Sequence, residues 1–405
     1  MNILNSNFYP LYSFEDVQYF LRDCDNFYIV GELYLSKKVE KKIKNKYGKK
    51  IERFIEVKED IRDFEKEFKN IKKKKIKLIV ASHHSFEISK NLIDAFNLEY
   101  LRHFVTFDHI NLSENPIFHN SAGRFFCEHY ETHNKKYLEA YNLLSDSLSK
   151  ITYKKLINYR IKAFNPELMD YDDLPMQVLL QYEYERNGNL ICRFLPEHID
   201  ASLRKDIAFK LSVDPYSYLN IVSCLEKRHI FNIGAYNNTS VLFALSSKHS
   251  KIYTFEPQTL IHEQNVRLSE IYPQIIPICK GIWKETTLAP FSIKECEIGG
   301  TTSSAIQENG NCYIKVLSID DFVEENAIQP DFIKMDIEGA EMEALEGAKN
   351  TIQKYLPDLA ISIYHKAEHL YEIPIWIKSI NEKYKIYVGH KYYNFTETVC
   401  FAKVV

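Results

Sequence analysis

Glycine is scarce in this chain, 12 residues in 405. No three of them fall in the G-x-G-x-x-G spacing that cradles a dinucleotide pyrophosphate. The eight cysteines never stand at C-x-x-C spacing, which argues against a zinc cage. Several lie in apolar runs, such as Ile191-Cys192 and Ile278-Cys279, where a thiol acts as a small hydrophobe. No stretch reaches the roughly 18 apolar residues of a membrane span. Met1–Pro10 has no charged start followed by an apolar core, so no secretory signal is expected. An excess of either charge is also missing: 52 Lys and Arg oppose 55 Asp and Glu, for a net charge of −3. That balance argues against a general nucleic-acid binder. A soluble, cytoplasmic protein with no membrane span is therefore expected.

Aromatic residues are abundant instead, with 28 Tyr and 25 Phe, and 45% of the chain is hydrophobic. Such a length and composition imply two or three domains, each able to bury a core. Residues 1–115 read as a small Rossmann-like α/β domain. Asn26–Gly31 and Ile76–Ser82 are expected strands, each followed by a helix, about Leu35–Tyr47 and Ser85–Phe96. Gly31 is followed by Glu-Leu-Tyr-Leu with no second glycine, so this domain is expected to bind no dinucleotide. Lys72–Lys75 read as a solvated helix end. Residues 116–214, punctuated by Pro166, Pro175 and Pro196, read as a helical connector. It would either cover the active site or offer the surface of a homo-oligomer.

From Pro215 to Val405 strands and helices alternate regularly. A helix at Tyr218–Lys227 precedes expected strands at His229–Ile233, Lys251–Phe255, Ile275–Lys280, Phe332–Asp336 and Leu359–Tyr364. A hairpin-like pair, Tyr384–Val388 and Glu397–Ala402, closes the chain. The pattern implies a doubly wound, mostly parallel sheet with one antiparallel strand. That is the class I methyltransferase topology.

Four motifs fall at the carboxyl edge of that sheet, where α/β proteins bind ligands. The first is Asn232-Ile-Gly-Ala-Tyr236. Gly234 allows close backbone approach, and the following helix N-terminus favours a carboxylate. The second, Phe255-Glu256-Pro257, ends a strand in an acid placed to accept ribose hydroxyls. The third is Asp336-Ile-Glu338-Gly-Ala-Glu341, more acids than helix capping requires. The fourth, Tyr364-His365-Lys366, puts an imidazole one strand away from Asp336. His365 is a general base for a hydroxyl or, with Asp336 and Glu338, a metal ligand. The loop Gly299–Ser304, with the hydroxyls of Thr302, Ser303 and Ser304, is expected to cover an acceptor.

Together with Gly281-Ile282-Trp283, these motifs resemble the FkbM family of S-adenosylmethionine-dependent methyltransferases over residues 215–405. The family pattern carries an acid where this chain has Asn232. The resemblance implies O-methylation of a hydroxyl on a sugar, a nucleotide-sugar or a glycan precursor. The implied donor contacts are Asn232, Gly234, Ala235, Tyr236, Glu256, Pro257, Gly281 and Ile282. Asp336 and His365 are the expected catalytic pair, Asp336, Glu338 and His365 the metal set for Mg²⁺ or Mn²⁺, and Thr302, Ser303, Ser304 and Lys366 the acceptor contacts. Two other readings compete with the enzyme. One is a nucleotide-dependent oxidoreductase, which the missing glycine loop disfavours. The other is a non-catalytic binding or assembly protein with a degenerate cofactor site.

Overall fold

The computed structural model describes residues 14–56, 68, 71, 76–82, 85–107, 109–110, 122–163, 204, 229–235, 237–246, 249–292, 305–306, 310–390 and 396–405. The chain divides into two compact units. One comprises Leu4–Thr132 and Ile157–Leu174; the other comprises Met1–Ile3, His133–Leu156 and Pro175–Val405. The expected helix at Tyr218–Lys227, the Lys72–Lys75 run and the Gly299–Ser304 loop lie outside the described residues.

In the first unit, β1 (Asn26–Gly31), β2 (Lys50–Glu56), β3 (Lys77–Ala81) and β4 (Phe104–Thr106) form a parallel sheet in the order β2-β1-β3-β4. Two of these strands escape a reading of the sequence. β2 is an edge strand with mostly exposed side chains, and β4 has only three residues. The helix Leu33–Tyr47 buries Ser36, Val39 and Ile43, the spacing of one helical face, and ends on Gly48 in a left-handed conformation. Gly31 has φ +147°, and a Cβ there would lie 1.9 Å from the Ala81 carbonyl oxygen. The glycine at the end of β1 is thus fixed by contact with the neighbouring strand. No phosphate is needed to account for it.

In the second unit, β5 (His229–Ile233), β6 (Lys251–Phe255), β7 (Ile275–Ile278), β12 (Phe332–Met335), β13 (Asp358–Ser362), β14 (Tyr384–His390) and β15 (Thr398–Val404) build a seven-stranded sheet. Its order is β14-β15-β13-β12-β5-β6-β7, with β15 alone running antiparallel. The central strands are near-continuous apolar runs because helices cover both faces. Between β7 and β12 the chain builds a second sheet from β8 (Gly281–Ile282), β9 (Thr287–Ser292), β10 (Ala305–Ile306) and β11 (Cys312–Leu317), in the order β10-β9-β11-β8. The sequence reading has no such sheet. Two of its strands are two residues long, and Pro290 interrupts β9, so no strand periodicity marks them.

Residues 133–156, read as part of a connector, belong to this second unit. They come from the helices Gly123–Leu143 and Ser147–Lys162. Ser145 donates its backbone N–H to the Ile386 carbonyl at 2.8 Å. The hydroxyls of Ser145 and Ser149 accept the N–H groups of Ile386 and Val388, each at 3.0 Å. These bonds satisfy the outer edge of β14, which would otherwise present open backbone groups. Among the described residues, no helix is long and apolar enough to cross a membrane.

Gly31→Ala is expected to destabilise the first unit by on the order of 2–4 kcal/mol, because both the positive φ and the Ala81 carbonyl oppose a methyl group. Hydrogen exchange of the amides in β1 and β3 should rise in this variant, while those of the seven-stranded sheet stay protected.

Candidate active site

An open cleft runs along the carboxyl ends of β5, β6 and β12, the edge at which α/β sheets bind ligands. Gly234, Glu256, Pro257, Gly281, Ile282, Asp336 and Glu338 are among the residues that line it. Ile261, Phe291, Ile306 and Ile314 add an apolar wall, three of them from the second sheet. Tyr364 and Glu397 complete the far end.

Gly234 has φ +70°, and a Cβ there would stand 1.8 Å from the Asp336 carbonyl oxygen. Its conservation of space therefore serves the join between the β5 and β12 ends. The N–H groups of Gly234 and Ala235 both donate to the Phe255 carbonyl, at 3.1 and 3.2 Å. Beneath them the buried Lys334 Nζ donates to the Gly234 carbonyl at 2.9 Å. Asn232 and Ala235 do not line the cleft. Asn232 is fully buried and donates to Ser240 Oγ at 3.3 Å. Ser240 donates to Asn265 Oδ1 at 2.7 Å, and Asn265 Nδ2 donates to the Ala235 carbonyl at 2.8 Å. An amide suits this chain of polar groups, since Ser240 gives its proton to Asn265 and takes one from Asn232, which a carboxylate could not supply. Tyr236, Thr302, Ser303 and Ser304 lie outside the described residues.

Glu256 is 6% exposed, and its Oε1 accepts the Gln258 N–H at 2.8 Å. Burial pushes its carboxyl up to about 7, and the nearby Glu338 adds to the rise against the pull of Lys334 and that hydrogen bond.

At the other end of the cleft, Glu341 organises the residues of the third and fourth motifs. Its fully buried carboxylate accepts the Ile337 N–H at 2.9 Å and the Gly339 N–H at 3.4 Å. The loop can direct both donors inward because Glu338 (φ 57°) and Gly339 (φ 98°) are left-handed. Glu341 Oε1 lies 2.9 Å from His365 Nδ1, and Oε2 lies 3.2 Å from His369 Nδ1. His365 Nε2 then faces Glu338 Oε2 at 3.4 Å and Asp336 Oδ1 at 3.6 Å. Tyr364 donates its hydroxyl to Asp336 Oδ1 at 3.1 Å. Burial alone would lower the His365 pKa, but Glu341 and Glu338 hold it well above the usual imidazole range. Burial would likewise raise Glu341, yet His365 and His369 hold it well below the carboxylate range. One atom from each of Asp336, Glu341 and His365 falls within 4.8 Å of the others.

His365 is fully buried and does not line the cleft; Asp336 and Glu338 do. Lys366 points its ammonium toward Glu343, 3.8 Å away. Glu341 and His369 had no assigned role in the sequence reading. The signal for them was present: an acid three residues after Glu338, and two histidines four apart, which bracket a turn.

Residues 232–387 match the family model described as the methyltransferase FkbM domain. This part of the chain is an FkbM methyltransferase domain. A likeness in fold extends further. The crystal structure of the methyltransferase FkbM from Methylobacillus flagellatus KT superposes with a TM-score of 0.58 at 14% identity, over 96% of this chain and 93% of that one. At that identity the likeness is one of fold alone. The hexuronic acid methyltransferase AglP of Haloferax volcanii is 25% identical over 126 residues, 31% of this chain. The chain thus spans about half the length of that relative, 51%. Apart from Glu397, the described cleft lining and the Glu341 cluster lie within the stretch that matches the family model, and the strand order is the expected doubly wound one.

Glu256 yields a signed pH prediction. Its folded pKa of about 7 lies above the 4.5 of an ordinary glutamate, so the folded protein holds the proton more tightly than the unfolded chain. The associated stability is full below pH 4.5 and is lost as pH rises through 7. Glu256→Gln keeps the acceptor for Gln258 and removes the buried charge. The variant is expected to match the wild type in urea denaturation at pH 4.5 and to exceed it at pH 8 by on the order of 3 kcal/mol. Equal stability at both pH values would contradict the placement of this carboxyl.

Proposed function

We propose that this FkbM domain is an S-adenosylmethionine-dependent O-methyltransferase. Its acceptor is a hydroxyl of a sugar, nucleotide-sugar or glycan precursor, and a divalent metal assists. The observation that carries the reading is the arrangement around His365: Nδ1 is tied to a buried carboxylate, and Nε2 faces two carboxylates that line the cleft. The partial match to a hexuronic acid methyltransferase supports a carbohydrate acceptor. Nucleotide-sugars and the methyl donor are cytoplasmic metabolites, in keeping with a cytoplasmic enzyme.

The residues fit both implied groups. Glu256 lines the cleft with a buried, proton-sensitive carboxyl suited to accepting ribose hydroxyls, beside the apolar Ile261 and Ile282. The donor supplies a methyl group already activated by its sulfonium, so the protein's task is to position the acceptor and receive its proton. Asp336, Glu338 and His365 form an oxygen- and nitrogen-donor set appropriate to Mg²⁺ or Mn²⁺. Glu341 is the outer carboxylate that orients the imidazole. A divalent ion held there would lower the pKa of an acceptor hydroxyl. Asp336 stands on the cleft wall, held by Tyr364, and is placed to receive the acceptor proton. Glu341 and Glu338 favour the charged form of His365, so a divalent ion would compete with a proton for its imidazole.

Two outcomes follow. Replacing Glu256 by Ala removes charge-assisted hydrogen bonds and should weaken S-adenosylhomocysteine binding by on the order of 2–4 kcal/mol in calorimetry. Unchanged affinity would end the donor assignment. In a mass-spectrometric screen of nucleotide-sugars and glycan precursors, a chelator should silence the wild type, and Mn²⁺ or Mg²⁺ should restore it. Asp336→Ala should lose about 10²–10⁴ in rate with the fold intact, and His365→Ala should lose as much in rate and also lower stability, because it leaves the buried Glu341 without one of its partners. Transfer that survives chelation would remove the metal and leave Asp336 or His365 as a simple base.

A further inference from the structure

The turn that carries His365 and His369 runs from Tyr364 into the helix His369–Ile380. That helix contains Pro374, which has no N–H, so the carbonyl four residues before it, Leu370, has no helical donor. Tyr153 occupies that vacancy, donating its hydroxyl to the Leu370 carbonyl at 3.0 Å. Three residues earlier, Tyr137 donates its hydroxyl to the Ala367 carbonyl at 2.9 Å. Both tyrosines are fully buried. Tyr137 also packs edge-on against Tyr371, ring centroids 4.9 Å apart, and His133 stacks on the same ring. The two hydroxyls therefore grip the turn at two carbonyls lying between and just beyond the histidines that pair with Glu341. They come from residues 217 and 230 positions earlier in the chain.

We infer that Tyr137 and Tyr153 are positioning residues of the methyltransferase site. Through the carbonyls of Ala367 and Leu370 they fix the turn that sets the His365 ring against Asp336 and Glu338. Neither touches the cleft, so neither is a catalytic residue. The catalytic unit is then discontinuous: it includes helical segments from residues 133–156, outside the 232–387 stretch that matches the family. The effect is directional. The turn is at the acceptor end of the site, whereas Glu256 and Gly234 at the donor end hang from β5 and β6. Loss of the hydroxyls should disturb transfer and spare donor affinity.

This inference rests on the proposed transfer reaction, and its test has one readout that needs no acceptor. Tyr137→Phe, Tyr153→Phe and the double variant, in the full chain, keep the rings and remove only the hydroxyls. Ser149→Ala, which loosens the β14 edge without touching the turn, serves as the control. Hydrogen–deuterium exchange of amides 365–373 should quicken about tenfold in the tyrosine variants and stay at the wild-type rate in Ser149→Ala. The affinity for S-adenosylhomocysteine should be unchanged throughout. With the acceptor found in the screen, kcat should fall about tenfold in each single tyrosine variant and further in the double, with little change in donor KM. Exchange at the wild-type rate overturns the grip on the turn. Faster exchange with unchanged kcat overturns the positioning role and leaves a structural one. If the wild type transfers no methyl to any acceptor, the proposed function and the positioning role fail together, and the exchange result still decides whether the hydroxyls hold the turn.

Discussion

The buried carboxylate of Glu341 is the constraint on which the acceptor end of the site depends. A charge fully removed from water is tolerated only when its partners replace the lost hydration. Glu341 has four of them: two backbone N–H groups of the loop after β12, and two imidazoles of the turn after β13. Those partners belong to neighbouring parallel strands, so one side chain ties together two strand ends that the sheet alone would leave adjacent and independent. The left-handed Glu338 and Gly339 are the local backbone cost of pointing both N–H groups at it.

The same tie explains the division of labour among the acids. Glu341 is enclosed and acts as a fixed counter-charge. Asp336 and Glu338 reach the cleft and remain available to a ligand. Glu256, at the donor end, is enclosed without a cationic side chain in direct contact, and its proton affinity rises instead of falling. The two buried glutamates, Glu256 and Glu341, thus differ in charge behaviour because of their partners. Burial by itself would have pushed all the enclosed ones in the same direction.

Much of this was legible in the residues. The strand-helix alternation from His229 onward, the acids at Glu256 and Asp336, and the imidazole at His365 are read from apolar runs that end in polar groups at one sheet edge. Three things were not legible, each for a physical reason. The second sheet is made of two-residue strands and a proline-broken one, which carry no periodicity. The role of Asn232 depends on Ser240 and Asn265, and the geometry of side-chain amides cannot be read from spacing. The membership of residues 133–156 in the methyltransferase unit depends on contacts across more than 200 positions, which no local pattern reports. At Gly31 and Gly234 the missing Cβ also makes room for a carbonyl at the end of a neighbouring strand, a close approach that no spacing in the sequence reports.

The closure of the β14 edge has a consequence for how the protein comes into being. Ser145 and Ser149 wait for partners at Ile386 and Val388, 241 and 239 residues downstream. A chain emerging from the ribosome exposes those serines, with Tyr137 and Tyr153, long before the strand and turn they serve exist. Contacts of such sequence separation form late and slowly. The first unit's parallel sheet lies wholly within the early part of the chain and can form during that interval. The seven-stranded sheet cannot close until the chain has been made as far as β15, and the early helices are among its final pieces.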